Sequence, residues 1–247
     1  MCVWITAGAF VVYFDHRRDR YKHNTDLVCV STVMALPTDE NLPKVSGFCK
    51  IHFPDIIDDK IQTVEFLEAS RDVVRIVEKF GKLFAPVKYD IEGNIEKLNN
   101  KYSLDKERHG TLQDMILLEK EMGKTIIATD ALMWLRRSLC MILLFFEQIV
   151  EDHNAGKATE DLVAFLKEAY KQSLEPYHGW MAQQLFGLLS RMVPSRTQLL
   201  QTIADGENVK DEILLRDMDV YLKTLRSNID ALQIFYKKYE LENIAKG

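Results

Sequence analysis

Apolar residues recur at helical spacing over most of the chain beyond residue 58. Spacings of three and four residues place side chains on one face of a helix, where they can pack against a core. The pattern predicts a helix through Val73–Phe80 that Gly81 closes, a helix capped by Thr111, and a helix that Pro176 begins and Pro194 bounds. The inner faces of the other predicted helices are Leu112, Met115, Ile116 and Met122; Leu132, Leu135, Leu139, Ile142, Phe146 and Ile149; and Leu214, Met218, Tyr221, Leu225, Ile229, Leu232, Phe235 and Tyr239. Without β alternation, the pattern favours an all-α fold.

The first residues of the chain differ from the rest. The run MCVWITAGAFVVYF is apolar for fourteen residues and a charged stretch follows it. It is shorter than the roughly 20 residues of a spanning helix and has no basic lead-in of a signal peptide. We expect residues 1–34 to be a leader that is disordered or a variable extension, with a signal anchor as the competing interpretation. We expect residues 35–57 to be an irregular lead-in and residues 58–247 to be the domain.

Composition and motifs exclude several classes of function. A hydrophobic content of 47% is typical of a folded protein, and a net charge of −5 without a basic stripe argues against a nucleic-acid partner. The four cysteines form no CxxC pair, which favours reduced thiols in a cytosolic protein. The sequence contains no GxSxG, P-loop or HExxH motif, and His178 has no neighbouring His or Cys at metal spacing. We therefore expect no enzyme activity, no cofactor and no metal.

A polar stripe lies in the segment YDIEGNIEKLNNKY. Asp90, Asn94 and Lys97 follow one another at i, i+4 and i+7, so a helix aligns a carboxylate, an amide and an ammonium on one face. The opposite face is apolar, with Ile91, Ile95, Leu98 and Tyr102. This combination suggests a site for a sugar-like group, and the alternative is a solvated helix face.

Four sequence blocks resemble the glycolipid transfer protein family. They are FAPVKYDIEGNIEKLNNKY, TLQDMILLEKEM, ATDALMWLRRSL and YHGWMAQQLF, and their order and spacing match the family over about Asp58–Glu242. The resemblance implies an all-α, two-layer helical sandwich. It also implies that one glycosphingolipid binds with its sugar at a surface site and its ceramide chains inside the protein.

The resemblance assigns headgroup roles to Asp90, Asn94, Lys97 and Trp134, and contact with the ceramide amide to His178. Chemistry agrees, because an indole offers a flat face for a pyranose ring, an amide both donates and accepts, and an ammonium only donates. A carboxylate can accept from the ceramide amide and a sugar hydroxyl. Taken singly, Trp134 could be a core aromatic residue and His178 a satisfied core histidine.

Further residues are implied by the same resemblance. Asp130 replaces a leucine common in the family one turn before Trp134, so we expect it beside the headgroup with an effect on sugar preference. Trp180 is a candidate membrane anchor, with a core position as its alternative. Gly93 suggests close approach of a sugar or a neighbouring helix beside Asn94. The residues expected to line the ceramide pocket are Ile76, Val77, Phe80, Phe84, Val87, Leu174, Phe186 and Leu199.

The interpretation from sequence is a cytosolic carrier that touches membranes transiently and transfers a glycosphingolipid between them. Two alternatives stay open: a glycolipid sensor or membrane-contact adaptor, and a ceramide 1-phosphate carrier in which Arg136 and Arg137 would bind the phosphate. The tract EFLEAS at Glu65–Ser70 weakly resembles motifs that dock endoplasmic-reticulum receptor proteins.

Overall fold

The computed structural model describes residues 48–123, 126–205 and 209–244. Within these residues the chain is all-α, as predicted, and the only β pairing is two isolated bridges. The helices are α1 (Thr63–Lys79), α2 (Ala85–Leu104), α3 (Leu112–Met122), α4 (Ile127–Asn154), α5 (Val163–Ser173), α6 (Trp180–Leu189), α7 (Arg196–Ile203), α8 (Asp211–Lys238) and α9 (Leu241–Ile244). Short 3₁₀ turns join several of them.

The long helix α4 lies at the centre of the fold. Helices α2, α5 and α8 pack along it, and α3 packs near its beginning. The predicted stripe is buried, including Leu132, Leu135, Leu139 and Phe146. Each such side chain stabilises the fold by about 1.5–3 kcal/mol relative to an exposed position. Because apolar residues surround α4 over most of its turns, the other helices are arranged around it.

The beginning of α4 is capped by a buried carboxylate from α3. Glu119 accepts hydrogen bonds from the backbone N–H groups of Ala128 and Thr129 at 3.1 and 2.7 Å, and from the Thr129 hydroxyl at 2.9 Å. Lys101 of α2 lies 3.4 Å from the same carboxylate. A negative charge at a helix N-terminus also interacts favourably with the helix dipole. Glu119 therefore joins the end of α2, α3 and the first turn of α4.

Helices α2 and α4 run antiparallel. The last turn of α2 meets the first turn of α4 through Lys101 and the capping carboxylate, and at the other end of α2 Val87 lines the same cavity as Ile142. Since both helices rise about 1.5 Å per residue, this register sets Trp134 at about the level of Ile95. The polar stripe of α2 and the indole of α4 consequently occupy the same stretch of the helix pair.

The packed core begins before the expected domain boundary at residue 58. Residues 48–57 form no helix, but Phe48 and Phe53 are buried and both contact the ring of Tyr221 on α8. The buried carboxylate of Asp72 accepts from the backbone N–H groups of Lys50 and Ile51. These apolar and polar contacts attach the segment to α1 and α8. The expected leader, 1–34, lies outside the described residues.

Two details of the predicted helices were wrong. Met122 is 62% exposed rather than part of the inner face of α3, because it is the last residue of that helix. Pro176 lies in a separate 3₁₀ turn, Glu175–Tyr177, and α6 begins only at Trp180. By contrast, Gly81 follows the end of α1 as predicted, and its φ of 95° is one that favours glycine.

Sequence reasoning missed α5 and α7. The buried face of α5 consists of Leu166, Ala169, Tyr170 and Ser173. Only two of these residues are large, so the apolar repeat is short. Helix α7 carries a detectable signal, because Ser195 and Gln198 form a capping box in which each side chain bonds to the other residue's backbone. The helix has only eight residues, so its apolar repeat is short.

The tract suggested for receptor docking belongs to α1. Phe66 and Leu67 are 0% and 1% exposed, and Ala69 and Ser70 are also buried. A receptor that recognises an extended peptide would have to unfold this helix. The burial therefore argues against docking through Glu65–Ser70 in the folded chain.

Candidate functional site

The polar stripe of α2 is a connected hydrogen-bonded group. Asn94 is buried, and its amide nitrogen donates to the backbone carbonyl of Asp90 at 2.9 Å. The ammonium of Lys97 donates to the Asn94 amide oxygen at 3.1 Å. The Asp90 side chain is exposed and that of Lys97 is half-buried. These bonds hold the amide and the ammonium in fixed positions on the helix surface.

Asn94 and Lys97 retain hydrogen-bonding capacity for a ligand. An amide has two donors and two acceptor lone pairs, and the internal bonds use one of each on Asn94. The ammonium of Lys97 has three donors, of which the bond to Asn94 uses one. The exposed carboxylate of Asp90 can accept from several donors. A solvated helix face explains the exposure of Asp90 but not the burial of Asn94.

Trp134 of α4 stacks with His178 in the segment before α6. The ring centroids are 5.8 Å apart and the planes meet at 24°. Trp134 packs against the core with part of its surface, and both rings are only half-buried. Neither residue is therefore a fully enclosed core residue. We call the pair of stacked rings, Trp134 and His178, the aromatic platform.

The imidazole of His178 is hydrogen-bonded to Tyr170. The Tyr170 hydroxyl lies 3.0 Å from Nδ1 of the imidazole. Burial raises the pKa of Tyr170, so its hydroxyl keeps its proton and can donate to Nδ1. In a neutral imidazole the proton then resides on Nε2, which can donate to an acceptor on a ligand. Phe186 in turn stacks on Tyr170, with 3.6 Å between the two ring centroids.

Arg137 links the platform to the C-terminal helix. Its guanidinium carbon lies 5.1 Å from the Trp134 ring centroid and 3.5 Å from that of Tyr177. A terminal nitrogen of Arg137 donates to the Glu242 carboxylate of α9 at 2.6 Å, and Arg136 donates to the other oxygen of the same carboxylate. Burial lowers the pKa of Arg137, and the charge of Glu242 opposes that effect. Sequence reasoning missed Glu242, because only the fold brings α9 to α4.

A small apolar cavity lies between α1, α2 and α4. Its volume is about 30 Å³. The lining residues are Val77, Phe80, Phe84, Val87, Met141, Ile142, Phe145, Phe146, Leu166 and Val193. The structure therefore brings half of the expected ceramide-pocket residues together around one cavity.

The other expected pocket residues do not line this cavity. Ile76, Leu174 and Leu199 are buried elsewhere in the core, and Phe186 stacks on Tyr170. Sequence reasoning also omitted the residues that α4 contributes. The apolar stripe of α4 pointed to Ile142 and Phe146 as core residues, but one chain does not reveal which core residues border a void.

Asp130 and Gly93 lie close to the polar residues along their helices. Asp130 is half-buried in the first turn of α4, one turn before Trp134, where a carboxylate suits the helix dipole. Gly93 precedes Asn94, and an added Cβ there would meet no atom within 4 Å. Close approach of a neighbouring helix is therefore not the reason for this glycine. The space beside it is open, and it lies on the helix face between Asp90 and Lys97.

An exposed apolar surface surrounds α6. The α6 surface, as we name it, consists of five exposed apolar residues. They are Tyr177 (40% exposed), Trp180 (70%), Met181 (54%), Leu188 (62%) and Met192 (53%). Trp180 is thus not a core residue, and only Leu189 of α6 is buried. Clustered apolar exposure of this kind is typical of interaction sites. No helix in the described part of the chain has the length and apolarity needed to cross a membrane.

Comparison with known proteins gives a family match and two groups of relatives. The family model described as Glycolipid transfer protein (GLTP) matches residues 61–205. Pleckstrin homology domain-containing family A member 8 of Rattus norvegicus is 31% identical over 240 residues, which cover 92% of this chain and 45% of that protein. The protein of the same name in Danio rerio is 33% identical over 203 residues, which cover 77% of this chain and 36% of that protein. The chain spans less than half the length of these relatives.

Solved structures share the fold. A structure described as showing how FAPP2 selects simple glycosphingolipids using the GLTP-fold is 29% identical, with a TM-score of 0.68 over 80% of this chain and 95% of that chain. The fungal glycolipid transfer protein HET-C2 is 23% identical, with a TM-score of 0.66 over 78% and 94%. Mouse ceramide-1-phosphate transfer protein is 18% identical, with a TM-score of 0.68 over 75% and 92%. These likenesses confirm the expected two-layer, all-α fold.

The open space at Gly93 leads to a prediction about stability. Gly93→Ala should raise the free energy of unfolding by up to about 1 kcal/mol, because alanine favours a helix interior and its Cβ meets no atom. Gly81→Ala is the contrasting variant, since a φ of 95° strains any residue with a side chain and should lower that free energy. Urea unfolding followed by circular dichroism measures both changes. A destabilised Gly93→Ala variant would contradict the assignment of open space.

Proposed function

The chain belongs to the glycolipid transfer protein family, and from that membership we propose that it transfers glycosphingolipids between membranes. Members of this family are lipid-transfer proteins and not enzymes, in agreement with the lack of catalytic motifs in the sequence. The observation that carries the proposal is the aromatic platform of Trp134 and His178, set at the level of the polar stripe on α2. An aromatic platform beside a polar stripe suits a ligand in which a sugar is joined to an amide.

The sugar binds between the platform and the polar stripe. The apolar C–H face of a pyranose stacks on the half-buried indole of Trp134. The remaining donor and lone pair of Asn94 bond to neighbouring hydroxyls, and Lys97 donates to another. Asp90 accepts from the ceramide amide N–H and from a hydroxyl, and Asp130 accepts from the sugar near Trp134. His178 donates from Nε2 to the ceramide carbonyl.

The ceramide chains enter the apolar cavity between α1, α2 and α4. Its present volume of about 30 Å³ is far too small for an alkyl chain, so the aromatic rings that line it must separate when lipid enters. Phe80 and Phe84 flank the turn between α1 and α2, where Gly81 has an unusual backbone conformation. Each methylene removed from water contributes roughly 0.8 kcal/mol. That gain offsets the loss of ring contacts that close the cavity in the absence of lipid.

A neutral sugar headgroup fits this site better than a phosphate. The polar stripe presents the neutral amide of Asn94, and the exposed carboxylate of Asp90 repels an anion. Arg136 and Arg137, the groups that would bind a phosphate, are buried and bonded to Glu242. The similarity to the FAPP2 domain, described as selecting simple glycosphingolipids, supports the same choice.

The α6 surface docks the protein on a membrane. Trp180 is 70% exposed beside His178, and an indole favours the level of lipid headgroups. Met181, Leu188 and Met192 add apolar area that can enter the interface. Because α6 has one buried residue and no clear cationic face, we expect this contact to be transient. The protein thus acts as a cytosolic carrier that contacts membranes peripherally.

Two alternatives stay open. One assigns a different role to lipid binding, and the other assigns a different lipid to the site. A glycolipid sensor or membrane-contact adaptor would use the same site but act through a protein partner. A ceramide 1-phosphate carrier would use the same fold with Arg136 or Arg137 at the headgroup, and solved relatives with this fold include such a protein. Transfer kinetics and headgroup preference separate these alternatives.

Transfer between vesicles tests the headgroup preference. Donor vesicles should contain glucosyl-, galactosyl- or lactosylceramide, ceramide 1-phosphate or phosphatidylcholine, each with the same labelled acyl chain. We expect one of the glycosylated lipids to move at least about tenfold faster than ceramide 1-phosphate, because each hydrogen bond to a charged group contributes about 1.5–3 kcal/mol. Faster transfer of ceramide 1-phosphate would establish the phosphate carrier instead, and binding without transfer would favour the sensor.

Removal of the Asp90 carboxylate tests the headgroup site. Asp90→Val should reduce glycosphingolipid transfer by roughly 10–100-fold, because it removes acceptors for the amide and the sugar. The fold should survive, since the side chain is exposed on α2. Glu96→Val is the matched control, because it removes an exposed carboxylate from another face of the same helix. Normal transfer by a folded Asp90→Val protein would contradict the proposed headgroup site.

Removal of the Trp180 indole tests membrane docking. Trp180→Ala should weaken vesicle binding and slow transfer by roughly tenfold, because it removes a large apolar group from the interface. Thermal unfolding should change little, since the side chain is 70% exposed. Ile234→Ala removes a side chain that is 67% exposed on α8 and serves as the control in sedimentation with vesicles. Equal losses in the two variants would refute a specific role for Trp180.

A further inference from the structure

Two buried guanidinium groups share one carboxylate next to the aromatic platform. Arg136 and Arg137 are consecutive residues of α4, and each donates to a different oxygen of Glu242 on α9. Both arginines are buried, whereas the Glu242 side chain is 31% exposed. The shielded members of this cluster are thus the cations, and the carboxylate is the member that borders solvent.

Arg137 lies within reach of a headgroup on the platform. Its guanidinium carbon is 5.1 Å from the Trp134 ring centroid and 3.5 Å from that of Tyr177. Arg136 is held from its other side by the ring of Tyr236, 5.5 Å away. Each guanidinium thus has an aromatic contact in addition to its bond with Glu242. Arg137 is the one that lies near Trp134, so it is positioned to bind an anion that approaches that ring.

A carboxylate and a phosphate compete for such groups by the same chemistry. A guanidinium presents planar N–H pairs that fit two oxygens of either anion. The Nε–H groups of Arg136 and Arg137 are buried and have no hydrogen-bond partner among the described residues, so each retains a donor. An unmatched buried donor favours binding of a further acceptor.

We propose that Glu242 is a specificity-determining residue that keeps phosphate-bearing lipid headgroups out of the site. It occupies Arg136 and Arg137, and its negative charge repels a second anion at the same place. This inference rests on the proposed transfer of glycosphingolipids, whose neutral sugars need neither arginine. In the absence of the Glu242 charge, Arg137 would donate to the phosphate of ceramide 1-phosphate while the lipid amide contacts Asp90 and His178.

The test compares two lipids in one assay with the full chain. Galactosylceramide and ceramide 1-phosphate with the same labelled acyl chain are transferred by the wild type and by Glu242→Gln, which keeps the size of the side chain. The ratio of the ceramide 1-phosphate rate to the galactosylceramide rate should rise by roughly tenfold, the effect of one charge-assisted hydrogen bond. Glu240→Gln is the matched control, because it removes an exposed carboxylate two residues earlier and should leave the ratio unchanged.

A double variant distinguishes headgroup selection from a structural role. In Glu242→Gln with Arg137→Gln, the gain for ceramide 1-phosphate should disappear, because the group that binds the phosphate is gone. If Glu242→Gln does not fold by circular dichroism, Glu242→Asp replaces it, since the shorter carboxylate keeps the charge and loosens its hold on the arginines. The ratio should then rise by a smaller factor.

Each outcome decides between the two proposals. Parallel loss of both lipids, or an unchanged ratio in a folded variant, overturns the role of Glu242 and leaves glycosphingolipid transfer intact. A wild type that does not move galactosylceramide contradicts the proposed function itself. A wild type that already prefers ceramide 1-phosphate refutes both.

Discussion

The burial of α4 is the constraint on which the rest of the structure depends. Apolar side chains surround this helix over most of its turns, so α2, α5 and α8 must cover it. Its first turn would bury backbone N–H groups without partners, and the carboxylate of Glu119 satisfies two of them. That cap also fixes the register of α2 through Lys101. The position of Trp134 relative to the polar stripe follows from this register, so the candidate site is a consequence of how α4 is buried.

Polar groups near α4 are stable only where they have partners, and their partners shape the site. The buried amide of Asn94 bonds to the Asp90 carbonyl and to Lys97 within one helix. The buried charges of Arg136 and Arg137 need an anion, which α9 supplies as Glu242. Asp90, Lys97 and the aromatic platform therefore border the surface, whereas Arg136 and Arg137 stay buried and bonded to Glu242. This arrangement is the physical basis of the proposed preference for a sugar over a phosphate.

The proposed lipid path joins a cavity in the apolar core to the exposed α6 surface. Apolar groups alone line the cavity, so it can open by separation of side chains without the breaking of hydrogen bonds. Helix α6 exposes most of its apolar residues and buries only Leu189. With so few buried contacts, α6 can move at a low cost in free energy. The proposed entry of lipid thus uses surfaces whose exposure in water is unfavourable and whose contact with a membrane relieves that cost.

The sequence by itself determined the helical class, the stripe of α4, the end of α1 at Gly81 and the alignment of Asp90, Asn94 and Lys97, because these depend on spacing along one helix. It also carried four blocks in family order, which pointed to Trp134 and His178. Tertiary structure alone decided that these two rings stack, that Trp180 is exposed and that Phe48 and Phe53 join the core. It likewise decided which apolar residues border the cavity and that Glu242 meets Arg136 and Arg137. These features join residues far apart in the chain, and local periodicity contains no information about such contacts.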